Sequence, residues 1–274
     1  MSQFEFLPLV TIGQYFATGS PLHRMDARAK LAVFTGLILA LTFTPSIIGL
    51  VLGIFILLIG IVIAKVPLHY ALKGLLAPLP FLIFIALLQI FFFSSQLKTI
   101  VYFDWGPIHI TLAGLWAALQ LMLRFTALIL CLSLMSFCLS TSELITGLDH
   151  LLSPLNKIGI KTMDFVMVIQ VAMRFLPLLA QSAERIAKAQ ASRGAEWGVK
   201  SGGLAAQVKR VIPLIVPLFI TSLRRAETLA LAMDARAYGV KDKRTSLYEH
   251  KFLWKDFWFV LFGVGMISLI VLLK

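Results

Sequence analysis

The stretch LAVFTGLILALTFTPSIIGLVLGIFILLIGIVIA, Leu31–Ala64, carries no charged side chain between Lys30 and Lys65. A ~30 Å hydrocarbon core takes about 20 residues at 1.5 Å each, so these 34 residues exceed one crossing and suit two short ones. Pro45-Ser46, near the middle, supplies the break, because proline cannot donate the backbone bond that a continuous helix needs. The segment therefore reads as a membrane hairpin.

Working outward, Gly74–Leu97 is the next uncharged run and reads as one span. Its start is bent by Pro78 and Pro80, tolerable where neighbouring helices cover the freed backbone groups. A fourth segment, from about His109 to Ser140, is interrupted only by Arg124. At helical rise it extends about 45 Å, so it must tilt or project beyond the bilayer. The last span is Phe257–Leu273, with Trp254 and Trp258 as interfacial anchors. The two cysteines, Cys131 and Cys138, lie seven apart on one helical face; that spacing disfavours a disulfide and reads as packed thiols.

Composition agrees with this frame and excludes a soluble globular domain: 59% of residues are hydrophobic and 14% charged. The net charge is +12, and its distribution is uneven. Between Ser142 and Asp256 fall 17 of the 25 Lys and Arg, and 10 of the 13 Asp and Glu, the mark of a water-facing segment with a basic bias. Arg24, Arg28 and Lys30 precede the first span, and Lys65 and Lys73 fill the second-to-third connection. The opposite connections carry Lys98 as their single cation. Positive loops stay inside, which predicts five spans, a cytoplasmic N-terminus and an external C-terminus in a prokaryotic plasma membrane. The first 20 residues lack a charged region followed by a compact apolar core, so insertion is expected through the first span, with residues 2–20 along the membrane surface.

The expected organisation is an all-α integral membrane protein. It comprises an interfacial segment (1–30), four transmembrane helices (31–141), a cytoplasmic segment of two long helices and a shorter one (142–251), and a C-terminal transmembrane helix (252–274). The basic excess suits anionic lipid headgroups. No aromatic-interleaved basic groove or zinc spacing points to nucleic acid.

Within the charged segment, Ala189-Gln190-Ala191-Ser192-Arg193-Gly194 and Ala232-Met233-Asp234-Ala235-Arg236-Ala237 recur 43 positions apart. Each ends a long pattern, one from about Thr162 through Pro177, the other from about Leu204 through Pro213 and Pro217. Gly194 and Gly239 are stop signals, and a helix C-terminus favours a cation. Alanines in both distal halves suggest that the helices cross or pair. Ser201-Gly202-Gly203 reads as the turn between them, and Ser142–Gly159, with Ser153-Pro154, as a shorter helix and loop. A lone arginine in such a turn is ordinarily a solvated surface residue; its recurrence favours presentation to a partner.

These segments resemble the membrane scaffold (T) component of energy-coupling factor transporters, which are ABC-type importers. The match rests on Gly19-Ser20-Pro21-Leu22-His23-Arg24-Met25-Asp26-Ala27-Arg28-Ala29-Lys30, Ser142-Glu143-Leu144, Arg174-Phe175-Leu176-Pro177 and the two arginine motifs, and spans essentially the whole chain. Ala27 stands where that family commonly has proline, and Ala237 where it commonly has glycine. The resemblance implies that Ser192-Arg193-Gly194 and Ala235-Arg236-Ala237 dock to two cytoplasmic ATPase subunits, which bind the ATP and Mg. It further implies a small membrane-embedded substrate-binding (S) component that selects the micronutrient, a vitamin or a metal ion. On this reading the chain itself binds no cofactor.

No phosphate-binding loop, nucleophile elbow or His-Glu-x-x-His occurs, which argues against an enzyme. The alternative is a stand-alone secondary transporter or channel, which needs more midplane ionisable groups than Arg124. Arg124 itself has two readings: it lines a pathway, or it serves structure by pairing with carbonyls at a helix break or reaching through a polar seam. The five histidines lack ligand spacing, Asp26 suits a helix cap, and Phe91-Phe92-Phe93 suits a lipid-facing patch.

Overall fold

The computed structural model describes residues 16, 18–92, 101–105, 108–152, 162–194, 204–240 and 253–273. The expectations for residues 2–15, Ser153-Pro154 and Ser201–Gly203 fall outside them. Among the described residues the chain forms helices α1 (Ala27–Phe43), α2 (Ile47–Ile63), α3 (Leu68–Leu76), α4 (Leu79–Phe92), α5 (Leu112–Cys138), α6 (Thr141–Leu152), α7 (Thr162–Ala191), α8 (Leu204–Asp234) and α9 (Trp254–Leu272). One small hairpin, β1 (Val101–Trp105) with β2 (Ile108–Thr111), separates α4 from α5.

The breaks fall where backbone chemistry requires them. Thr44–Ser46 separates α1 from α2, and the Ser46 hydroxyl accepts from Gly49 N to start α2. Asp26 caps α1, accepting from Arg28 N at 2.9 Å, and Thr111 caps α5, accepting from Gly114 N at 3.1 Å. The α3–α4 pair bends by 56° at the prolines. The antiparallel hairpin was unforeseen, although Val101-Tyr102-Phe103 and Ile108-His109-Ile110 around Gly106-Pro107 carry strand and turn composition.

The chain divides into two units, one holding α7 and α8, the other holding α1–α6, the hairpin and α9. In the latter, α1, α2, α5 and α9 share a core that includes Phe34, Leu41, Leu50, Leu57, Leu134 and Ile270. Lipid tails are as apolar as these side chains, so close fit rather than water exclusion holds the faces together. At Gly49, an added Cβ would come 3.0 Å from the Ile270 carbonyl oxygen, so the start of α2 lies against the end of α9. Outward-facing Phe55, Phe81 and Phe84 remain exposed, as a lipid-facing surface requires.

Among the described residues, three helices, α5, α9 and Asp164–Ala191 within α7, are long and apolar enough to cross a membrane, and the bent α3–α4 pair makes a fourth if it is taken as one span. At 17 residues, α2 is a shorter apolar helix. The presence of α7 in this set follows from its apolar first half, which lies inside the segment expected to face water.

Candidate functional site

The two arginine motifs end α7 and α8 in matching turns. In the first, Ser192 N donates to Lys188 O (3.1 Å), Arg193 N to Gln190 O (3.1 Å) and Gly194 N to Ala191 O (3.0 Å). In the second, Ala235 N donates to Leu231 O (3.0 Å), Arg236 N to Met233 O (3.1 Å) and Ala237 N to Asp234 O (2.8 Å). Every donor and acceptor of the second set stands 43 positions after its counterpart. Each helix thus tightens from i−4 to i−3 bonding at its arginine. The next residue then turns into the left-handed region, with φ +84° at Gly194 and +54° at Ala237, a C-terminal stop that leaves the arginine in the last turn. Arg193 and Arg236 are both exposed, and the residues one turn back are Ala189 and Ala232, which offer no local ion pair.

Among the described residues, Arg225 supplies the hydrogen bonds that join the two helices. Arg225 Nη2 of α8 donates to Ser182 Oγ of α7 at 2.9 Å, and Nη1 to Leu178 O at 3.3 Å. Tyr238, beyond α8, bonds through its hydroxyl to Met167 Sδ, near the start of α7. As numbers fall along α7 they rise along α8, so the pair runs antiparallel and Arg193 and Arg236 are carried to opposite ends. Ser182 and Arg225 are themselves 43 residues apart. From the crossing, each arginine lies 11 residues onward, about 16 Å at helical rise. The crossing was expected through alanines: Ala187 of α7 is buried, whereas Ala226, Ala230, Ala232 and Ala235 of α8 are exposed, and the hydrogen bonds come from Arg225, whose planar fork reaches two acceptors at once.

The N-terminal segment builds a second polar cluster, in the unit that holds α1. Lys30, fully buried, uses all three ammonium protons: on His23 O (3.2 Å), Cys138 O (3.2 Å) and Glu143 Oε2 (2.8 Å). Glu143 also closes a capping box at the start of α6, where Glu143 N donates to Ser140 Oγ (3.2 Å) and Ser140 N to Glu143 Oε2 (3.4 Å). His23 Nε2 faces the Phe137 carbonyl at 3.2 Å and donates to it, while Nδ1 lies 2.7 Å from Ser20 Oγ. Asp256, 2% exposed, accepts from Asp26 N and Leu253 N, tying the first turn of α9 to that of α1. Sequence reading missed Lys30 as the hub, because its partners lie up to 113 positions away.

The family described as cobalt transport protein, CbiQ, matches residues 18–247. The chain belongs to this family. Its relatives include energy-coupling factor transporter transmembrane proteins, EcfT. That of Heliobacterium modesticaldum is 36% identical over 265 residues, covering 97% of each chain. That of Brevibacillus brevis is 38% identical over 248 residues, covering 90% of this chain and 91% of its own, and that of Staphylococcus aureus 35% over 246 residues, covering 89% and 90%. The resemblance read from the motifs is thereby established, and with it a transmembrane component of an energy-coupling factor transporter.

For a CbiQ-family chain, Arg124 holds a local position. Its Nη2 donates to Thr44 O at 2.8 Å, and Gln120 Nε2 to Pro45 O at 2.7 Å. One turn and a half of α5 thus satisfies carbonyls freed at the α1–α2 break, and the cation sits at the C-terminal, negative end of α1. Arg124 lies in a different unit from Arg193 and Arg236. Cys131 and Cys138 are free thiols, both buried.

Proposed function

We propose that this chain couples ATP hydrolysis by two cytoplasmic ABC ATPase subunits to uptake of a micronutrient, a vitamin or metal ion, through a separate small S component. Arg193 and Arg236 dock one to each ATPase. The ATPases bind ATP and Mg, this chain contributes no catalytic group, and α7 and α8 carry the coupling on the cytoplasmic side of the cell membrane. One observation carries the reading: two exposed arginines on matching turns, equally far from one crossing point and pointing to opposite ends. Such a pair suits two equivalent receptors. A guanidinium offers a permanent charge and two parallel donors for a carboxylate in a partly desolvated groove, and Ser192, Gly194, Ala235 and Ala237 leave it unobstructed. The kinship with EcfT proteins supports an importer with partner subunits.

The test is Arg193→Ala, Arg236→Ala and their double variant in the assembled complex. Truncating one member of a desolvated charge pair typically costs about 2–5 kcal/mol, so each single variant should lose ATPase co-purification or ATP-driven uptake in proteoliposomes, and the double variant both, while membrane insertion persists. Full assembly and uptake by the double variant would refute the proposal.

A further inference from the structure

We infer that the wedge between α2 and α9 is a binding site for one anionic glycerophospholipid, with an acyl chain in the wedge and the phosphate between Arg24 and Lys255. At one end, α2 and α9 touch, where Gly49 meets Ile270 and Leu273. Toward the other end they part, leaving an apolar groove of about 200 Å³ with Phe34 of α1 as floor, Ile59 and Ile63 as one wall, and Phe259 and Phe262 as the other. The lining side chains of this groove are all apolar, so it suits a hydrocarbon chain, and the charge at its mouth points to the lipid that carries one.

The mouth supplies the charge. A second cavity, of about 340 Å³, is bordered by Pro21, Arg24, Leu253, Lys255 and Asp256. It neighbours the first: Lys255, Phe259, Phe262 and Met266 recur at intervals of four, three and four along one face of α9, and Leu22 of the groove adjoins Pro21 of the mouth. Asp256 is spent: its two oxygens accept from Asp26 N and Leu253 N. Arg24 and Lys255 are exposed, so the accessible charge of the mouth is positive. Trp254 and Trp258, 77% and 61% exposed on the first turns of α9, set that level at the membrane–water boundary, where aromatic anchors and lipid phosphates both lie.

The full-length chain in detergent is titrated with phosphatidylglycerol and with phosphatidylcholine, and bound lipid is counted by native mass spectrometry. Near an interface each cation contributes about five-fold to the binding of an anionic lipid, so phosphatidylglycerol should bind at least about 10-fold tighter. Arg24→Gln with Lys255→Gln should bring it down to the phosphatidylcholine level, whereas Arg24→Lys with Lys255→Arg should keep the preference. Ile63→Trp, which fills the groove, should weaken both lipids. Equal affinities in the unaltered chain, or a preference that survives the glutamine pair, would overturn the headgroup assignment. Unchanged binding by the Ile63→Trp chain would overturn the acyl site and leave only a surface charge effect.

Discussion

The unit that holds α1 and the unit that holds α7 and α8 solve opposite problems. In the first, helix ends are tied by buried polar groups: Lys30 joins the start of α1 to the end of α5 and the start of α6, and Asp256 joins α9 to α1. In the second, Arg225 supplies the hydrogen bonds described between two helices of 30 and 31 residues. The contrast separates a base, whose helix ends are joined by several buried polar bonds, from a pair of arms joined by few among the described residues.

Breaking the base should produce the largest effect, and with a definite asymmetry. Glu143→Leu strands the Lys30 ammonium, which has no exposure, whereas Lys30→Met leaves a Glu143 carboxylate that is 29% exposed and can reach water. Removing one partner of a buried ion pair costs about 3–5 kcal/mol, so Glu143→Leu should fall at the upper end, Lys30→Met lower, and the double variant should recover much of the loss. Reaction of Cys131 and Cys138 with a thiol reagent reads this directly, since both are buried in the folded chain. Equal rates for the two single variants would remove Lys30 from its place as hub.

Cutting the crossing should leave the base untouched and disturb the arms. Arg225→Ala removes the bonds to Ser182 and Leu178, a loss of about 1 kcal/mol for a charge-assisted contact with partial solvent access. Spin labels at Gln190 and Met233, in a background without Cys131 and Cys138, should report a narrow distance distribution in the parent chain and a broad one in Arg225→Ala. Arg225→Lys should fall between, because an ammonium lacks the planar fork. An unchanged distribution would mean that Arg225 does not set the angle of the arms. The same variant should show the thiol reactivity of the parent.

What could be read in the sequence follows the same division. The uncharged runs, the break at Pro45-Ser46, the bend at Pro78 and Pro80, the start of α7 at Thr162 and the two arginine turns are local matters of periodicity, caps and backbone freedom. The 43-residue repeat was visible as well. The Lys30–Glu143 pair, the capture of Asp26 N by Asp256 and the use of Arg225 at the crossing join residues 113, 230 and 43 positions apart, and no local pattern marks such partners. Arg124 lies between these cases: a cation in an apolar run is conspicuous, yet its bond to Thr44 O depends on how α5 packs beside α1. Only the break at Pro45, which leaves carbonyls in need of donors, hinted at that partner.

The smallest expected effect lies within the repeat itself. Gly194 and Ala237 hold the same place in their turns, both at positive φ, but alanine carries a Cβ that crowds its own carbonyl there, at about 1–2 kcal/mol. Ala237→Gly removes that crowding and restores the chain freedom that glycine loses on folding, about 0.5–1 kcal/mol in the opposite direction. The net change should be a stabilisation on the order of 0.5 kcal/mol, confined to the tip of α8. Ala237→Val, with a branched Cβ, should destabilise it, and Gly194→Ala should loosen the tip of α7. Hydrogen exchange at the amides of Ala237 and Tyr238, which donate to Asp234 O and Met233 O, measures the effect: slower with glycine, faster with valine. If glycine at 237 leaves both amides unchanged, backbone strain does not limit that turn, and the two arginines are presented equally well despite the different residues that follow them.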